Sequence, residues 1–155
     1  MKRIVLFVFC IINFSCYAQQ AMRFEVAKAK GIFPAVDEQY KSAIDADSSK
    51  AVFTNEADVE KHIQAYKDFL FGLGEFLEKN GFYWQDNTRC FNRIYINADG
   101  TVDYFLYQFK TKLPESKEHE FSALLEKYIS ENKFGITAQE NFAQCSPVVY
   151  PKSDR

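Results

Sequence analysis

The chain has 155 residues, 47% of them hydrophobic and 26% charged, enough for one domain with a full core and too few for two. Acidic residues outnumber basic ones by 21 to 19, a balance that argues against nucleic acid as a partner. Beyond the first eighteen residues no stretch stays apolar for long enough to cross a bilayer.

At the start, Lys2 and Arg3 precede the apolar run Ile4 to Ile12, and Cys16 and Ala18 put small residues at the minus-three and minus-one positions of a cleavage site. Residues 1–18 therefore read as a secretory signal peptide, and the mature chain is expected in the periplasm or outside the cell. Asn13 and Ser15 break the run short of the roughly twenty apolar residues an uncleaved anchor needs. In a second reading Cys16 is the lipid-modified first residue of a lipoprotein, and only then would the chain be held at a membrane. Asn13 and Phe14 stand where such signals carry Leu and a small residue, which favours cleavage after Ala18. Cleavage removes two basic residues and no acid, so it lowers the formal net charge of −2 by two, to −4.

From Gln19 to Phe53 the signals are mixed. Ala-containing pieces, Phe24 to Lys30 and Asp37 to Ala46, suggest short helices, and Gly31, Pro34 and Ser48-Ser49 interrupt them. The expectation is a partly ordered, partly helical lead-in over 19–53, ahead of an α+β domain over 54–155.

The strongest periodicity follows. Val59, Ile63, Tyr66, Leu70, Leu73 and Leu77 step by four and three, with Phe69 and Phe76 widening the stripe and charged residues falling elsewhere. Thr54 or Asn55 can cap the start, Glu56 and Asp58 suit the positive end of the dipole, and Lys79 with Gly81 suits the close. The spacing predicts a long amphipathic helix over about 55–79. Gly72 and Gly74 each weaken a helix interior by about 0.8–1 kcal/mol relative to Ala, so close approach of another backbone, or a kink, is expected there.

After Gly81, aromatic and β-branched residues dominate, punctuated by Asp86-Asn87 and Asp99-Gly100, which is a hairpin pattern. The corner Asn97-Ala98-Asp99-Gly100 invites comparison with a calcium loop. With Asn97, Asp99 and Gly100 at positions three, five and six of an EF-hand loop, Tyr95 would fall at position one and Leu106 at twelve, where the ion needs carboxylates. A turn accounts for the same residues: Gly100 supplies the positive φ of a three-residue loop, and Asn97 and Asp99 bond their own backbone. In that register Asn97 faces Thr101, and Ile96/Val102, Ile94/Tyr104 and Asn92/Leu106 pair. The opposite face is then Phe91, Arg93, Tyr95, Asp103, Phe105, Tyr107 and Phe109. Within it Arg93, Tyr95, Asp103 and Phe105 form a candidate interaction surface, unless the lead-in or second helix covers them.

A second helix is expected over about 116–132, capped by Ser116, with Phe121, Leu124, Leu125, Tyr128 and Ile129 as its apolar face and Gly135 beyond its end. The last strand, about 142–150, contains Pro147, which points to an edge position or a bulge. Removal of the signal leaves Cys90 and Cys145. Both lie in strand-like segments, and an oxidising compartment permits a disulfide between them, the alternative being two separately buried thiols.

The order of "RIYINADGTVDYFLYQF", "EFSALLEKYISENKFG" and "FAQCSPVVYP" resembles the C-terminal domain of TonB-type energy transducers and of other exported bacterial proteins with that α+β unit. The resemblance covers about the last 65 residues. It implies a periplasmic domain that binds a peptide segment by adding a strand at its sheet edge. No Pro-rich spacer is present, so it does not extend to force transmission. The whole string also resembles small secreted bacterial proteins, a class that implies no activity.

Catalytic and cofactor motifs are not expected to contribute. His62 lies beside the apolar stripe and His119 among Lys117, Glu118 and Glu120, neither at a metal-ligand spacing. No nucleophile elbow or phosphate-cradling Gly loop occurs. The combined expectation is an α+β fold, a small antiparallel sheet (hairpin about 91–109 plus the last strand) packed with the two helices. It would act as an exported interaction domain for a protein partner in the cell envelope, without cofactor. The alternative is a small-ligand carrier or enzyme with a pocket between the long helix and the sheet, lined by Tyr66, Trp84, Tyr104 and Tyr107.

Overall fold

The computed structural model describes residues 19–154, so the expected signal segment, residues 1–18 with Cys16, lies outside the described residues. In chain order the elements are β1 (Gln20–Arg23), α1 (Phe24–Ala29), β2 (Lys41–Ser42), α2 (Glu56–Lys79), β3 (Thr88–Ile96), β4 (Val102–Phe109), α3 (Glu115–Glu131) and β5 (Phe142–Tyr150). They form one sheet in the order β1-β4-β3-β5-β2. β3 runs antiparallel to both β4 and β5, whereas β1 joins β4 and β2 joins β5 in parallel.

This corrects the expected architecture. Among the described residues the fold is α+β, but the sheet is mixed and five-stranded, and there are three α-helices rather than two. Both unforeseen strands come from the lead-in. At four and two residues they are too short to show alternation, and they are extended because long-range partners pair with them. The stretch Asp37–Ala46, read as helical, holds one 3-10 turn at Asp37–Gln39 and then β2.

α2 is capped as its sequence suggests. The Asn55 side chain accepts from the Asp58 amide at 3.0 Å. At the other end Gly81, at φ 82°, closes the helix with bonds from Gly81 to Glu78 and from Phe82 to Leu77. Its buried residues are His62, Ala65, Phe69, Leu73 and Leu77, a stripe turned from the expected one toward α3. Gly72 allows the turn: a Cβ there would stand 2.8 Å from the Tyr128 hydroxyl, which donates to the Phe69 carbonyl at 2.8 Å. The close approach is thus made by a side chain of α3 and not by a backbone. The opposite flank of α2 is left half uncovered, with Ile63 40% exposed and Val59, Tyr66 and Leu70 partly buried. α3 buries Phe121, Leu125, Tyr128 and Ile129, and starts at Pro114 with no side-chain cap from Ser116.

The β3–β4 corner is a hairpin turn in the expected local register, Asn97 to Thr101 at 2.8 Å and Ile96 opposite Val102. One residue further on, the register shifts: Tyr95 faces Tyr104 and Ile94 faces Phe105, leaving Asp103 as the extra residue of a bulge. Every β4 residue beyond it therefore changes face. Phe105 and Tyr107 join the core beneath α2 and α3, while Tyr104 and Leu106 turn to the lead-in side with Tyr95, Met22 and Val36. The turn is seated against the loop after α3, with the Phe134 amide on the Gly100 carbonyl and the Ala138 amide on the Ala98 carbonyl, both at 2.8 Å.

Cys90 and Cys145 are not bonded. β3 and β5 pair Cys90 with Val148 and Cys145 with Arg93, so the cysteines stand three pairs apart, roughly 10 Å along the strands. Their side chains also leave opposite faces of the sheet. Cys90 is buried under the helices and its thiol is pushed up to about 12 by burial, whereas Cys145 is exposed.

Candidate functional site

The four residues singled out as an interaction surface do not form one. Tyr95 and Phe105 are fully buried, on opposite faces of the sheet. Arg93 is engaged by the lead-in. Its guanidinium bonds Asp37, through Nε at 2.7 Å and also through Nη2, and Nε reaches the Tyr95 hydroxyl at 3.0 Å. The Tyr95 hydroxyl donates to the same Asp37 oxygen at 3.0 Å. Asp37 belongs to the lead-in, so this cluster fastens the lead-in to the sheet. Asp103 instead accepts from the Tyr40 hydroxyl at 2.5 Å and the Asn97 side-chain amide at 2.6 Å. Asp37 and Tyr40 were missed because nothing local to them in sequence marks a partner more than fifty residues away.

The residues expected to line a pocket between long helix and sheet are dispersed as well. Tyr104 lies on the lead-in face, Trp84 stacks on Tyr150 at 5.0 Å, and Tyr107 packs edge-on to Phe121 at 5.1 Å. Tyr66 bonds Ser146 at 2.6 Å. His62 is buried between the Phe53 and Phe134 rings. Its Nε2 lies 2.8 Å from the Gln144 side-chain oxygen, and burial holds its titration below the usual 6.5 against the opposing effect of that bond. His119 is exposed beside Glu115. Among the described residues no group of three or more His, Cys, Asp or Glu is placed to hold a metal ion.

What the sheet does present is an edge. β2 covers β5 only at Phe142 and Ala143, and from Gln144 to Tyr150 no described strand pairs with the outer side of β5. The direction of its backbone groups follows from two bonds. The carbonyls of Asn141 and Ala143 point outward to Lys41 and Ala43, at 3.3 and 2.8 Å. In an antiparallel ladder alternate residues share a direction, so Cys145, Pro147 and Val149 also direct their backbone groups outward. The Arg89 carbonyl, opposite Val149, bonds Lys110 on the β4 side, as this parity requires. Pro147 therefore lacks its N–H where the ladder to β3 does not need it, which is how a proline fits an edge strand. The Cys145 carbonyl is held by its neighbour's Gln144 side chain at 3.2 Å.

The half-uncovered flank of α2 overlooks this edge. The His62–Gln144 and Tyr66–Ser146 bonds place α2 over β5 beside the partly buried side chains of Gln144, Ser146 and Val148, with Ile63 and Leu70 on the same flank of α2 as Tyr66. On the other side of β5, Cys145 and Pro147 are exposed and Val149 is 57% exposed. An extended backbone laid along β5 would find main-chain donors and acceptors beside it and an apolar wall above it.

No family model, no curated protein and no solved structure matched the chain.

Proposed function

We propose that the mature chain is an exported protein-interaction domain, working in the periplasm or outside the cell, that takes an extended segment of an envelope protein as an added strand on β5. The observation that carries this reading is the unpaired outer side of Cys145 to Val149 lying beside the half-exposed flank of α2. Strand addition uses main-chain bonds for affinity and alternate side-chain pockets for specificity, and both are at hand. The signal-like residues 1–18 and the resemblance of the C-terminal part to TonB-type domains point the same way.

The occupant is a partner rather than a second copy of this chain. In a two-fold pairing of β5 with itself each copy brings Pro147, so the ladder loses a donor on both sides. A foreign strand meets the gap once.

The test uses the parity of β5. Cys145→Pro and Val149→Pro each delete an outward N–H and leave the ladder to β3 intact. The wild-type mature chain and both variants are used to capture partners from an envelope extract, with circular dichroism confirming the fold. Partners should be lost from both variants, and amide exchange at Cys145 and Val149 of the wild type should slow when a captured partner is added. Equal recovery by all three folded forms refutes the assignment, and a dimer in sedimentation that both variants abolish replaces the partner with a second copy.

A further inference from the structure

A cleft of about 650 Å³, open to solvent on one side, lies apart from the β5 edge. It opens on the lead-in side of the sheet, between Ile32 and Val36 on one wall and Asn97, Asp103 and Tyr104 on the other, with Tyr40 between. A volume of this size is that of a small-ligand site.

Asp103 is the bulge residue of β4, and a bulge re-aims the side chain it carries. Its carboxylate is partly buried and held by two neutral donors, Tyr40 and Asn97, at 2.5 and 2.6 Å. Burial and the bond to Asp103 push the Tyr40 titration far above its usual value, so this hydroxyl stays a donor. Among the described residues no cation pairs with Asp103. The nearby ones are engaged elsewhere: Arg93 by Asp37, Lys41 by Glu140 and Lys133 by Asp99. A carboxylate offers about four acceptor positions and two are filled here, so it is fixed in place with capacity left over. The aromatic walls are fixed too. The Tyr40 and Tyr104 rings both stand edge-on to the buried Tyr95, at 5.2 and 6.2 Å.

We infer that this cleft binds an organic cation, an alkylammonium group whose charge meets Asp103 and whose carbon chain lies against Tyr40, Tyr104 and Ile32. One fixed negative charge between tyrosine rings is the arrangement that attracts such a cation, by charge-assisted hydrogen bonds and by the ring faces. A metal ion is a poorer match, since a hard cation requires several oxygen ligands and the cleft offers a single carboxylate. The ammonium can arrive on a free amine or on a lysine side chain, and the chemistry at Asp103 is the same.

The experiment is a titration of the mature chain followed by backbone amide NMR. The probes are n-butylamine hydrochloride, N-acetyl-lysine methylamide, and the uncharged analogue N-acetyl-norleucine methylamide, which keeps the four side-chain carbons of lysine and lacks its ammonium. The cationic probes should move the amides of Asn97, Thr101, Asp103 and Tyr104 saturably, and the norleucine probe should not. Asp103→Asn keeps the shape and one of the two acceptor oxygens, removes the charge, and should weaken cation binding about tenfold. Tighter binding of the lysine probe than of butylamine identifies a polypeptide as the source, and the reverse identifies a small amine. The inference is overturned if neither cation gives saturable shifts at these amides, if norleucine binds as well as lysine, or if a folded Asp103→Asn binds like the wild type. The norleucine comparison needs no variant and stands whatever Asp103→Asn does to folding.

Discussion

Replacing Gly100 with Ala tests how the hairpin tip is joined to the rest of the molecule. Two effects combine there. Gly100 has φ 85°, a left-handed conformation in which a Cβ costs about 1–2 kcal/mol. The same Cβ would stand 2.6 Å from the Phe134 carbonyl oxygen, a backbone atom with little freedom to move. Relief requires the tip to part from the loop after α3, with loss of the Phe134–Gly100 and Ala138–Ala98 bonds, each contributing about 0.5–1.5 kcal/mol. The sum is about 2–5 kcal/mol. Gly81→Ala is the control: φ is 82°, nothing lies within 4 Å of its Cβ, and the expected loss is only the conformational part, about 1–2 kcal/mol. The measurement is urea unfolding followed through Trp84, the single tryptophan, which stacks on Tyr150 in the core. At a slope of about 1.5–2 kcal/mol/M, Gly100→Ala should lower the midpoint by about 1–3 M and Gly81→Ala by about 1 M or less. Equal losses at the two sites would show that the tip does not press on Phe134, and the account of that junction would fail.

Other outcomes follow from the same structure. In the folded protein a thiol reagent should modify Cys145 and leave Cys90 until denaturant is added, since burial pushes the Cys90 thiol up to about 12; a protein with no reactive thiol would contradict the strand register. His62 is held below 6.5 by burial, so the unfolded chain binds more protons than the folded one just below that pH. Stability should be full above about pH 6.5 and fall as the pH drops from there through the lowered folded value. His62→Phe should flatten that slope, and an unchanged slope would remove His62 as its cause. Gly74→Ala should raise stability by about 0.8–1 kcal/mol, because its Cβ meets nothing within 4 Å. Gly72→Ala, which displaces the Tyr128 hydroxyl from the Phe69 carbonyl, should fall below it by about 1–3 kcal/mol, and a reversed order in thermal melts would refute the α2–α3 packing.

The elements legible in the sequence are those whose patterns are long and local. α2 announces itself by period and caps, α3 by period alone, and the β3–β4 turn by Asp99-Gly100. The bulge was not legible. Asp103 to Tyr107 is an unbroken run of one acid and four large apolar or aromatic residues, so neither register offers a clean alternation and one extra residue leaves no mark. That single slip moved Phe105 into the core, on the face away from Arg93 and Tyr95. The pairing of Cys90 with Cys145 failed for a related reason. Two strand-like segments give no relative register, and only the observed one shows that the sulfurs leave opposite faces. Of the candidate site, Pro147 was a correct pointer to an edge, since its missing N–H has a local signature. The short reach of β2, which leaves that edge open, had none.

The lead-in has a further consequence for how the chain acquires its shape. It starts at one margin of the sheet, as β1 on β4, passes across the face carrying Tyr95 and Leu106, and finishes at the far margin as β2 on β5. Gln20 must wait for Tyr104, and Lys41 for Phe142, before either end of this belt can buckle. The lead-in is thus among the last parts of the sheet to settle, and its ordering is deferred until β4 and β5 exist to pair with it. A shortened chain beginning at residue 54 would have both margins bare and its aromatic underside wet, and should clump rather than fold.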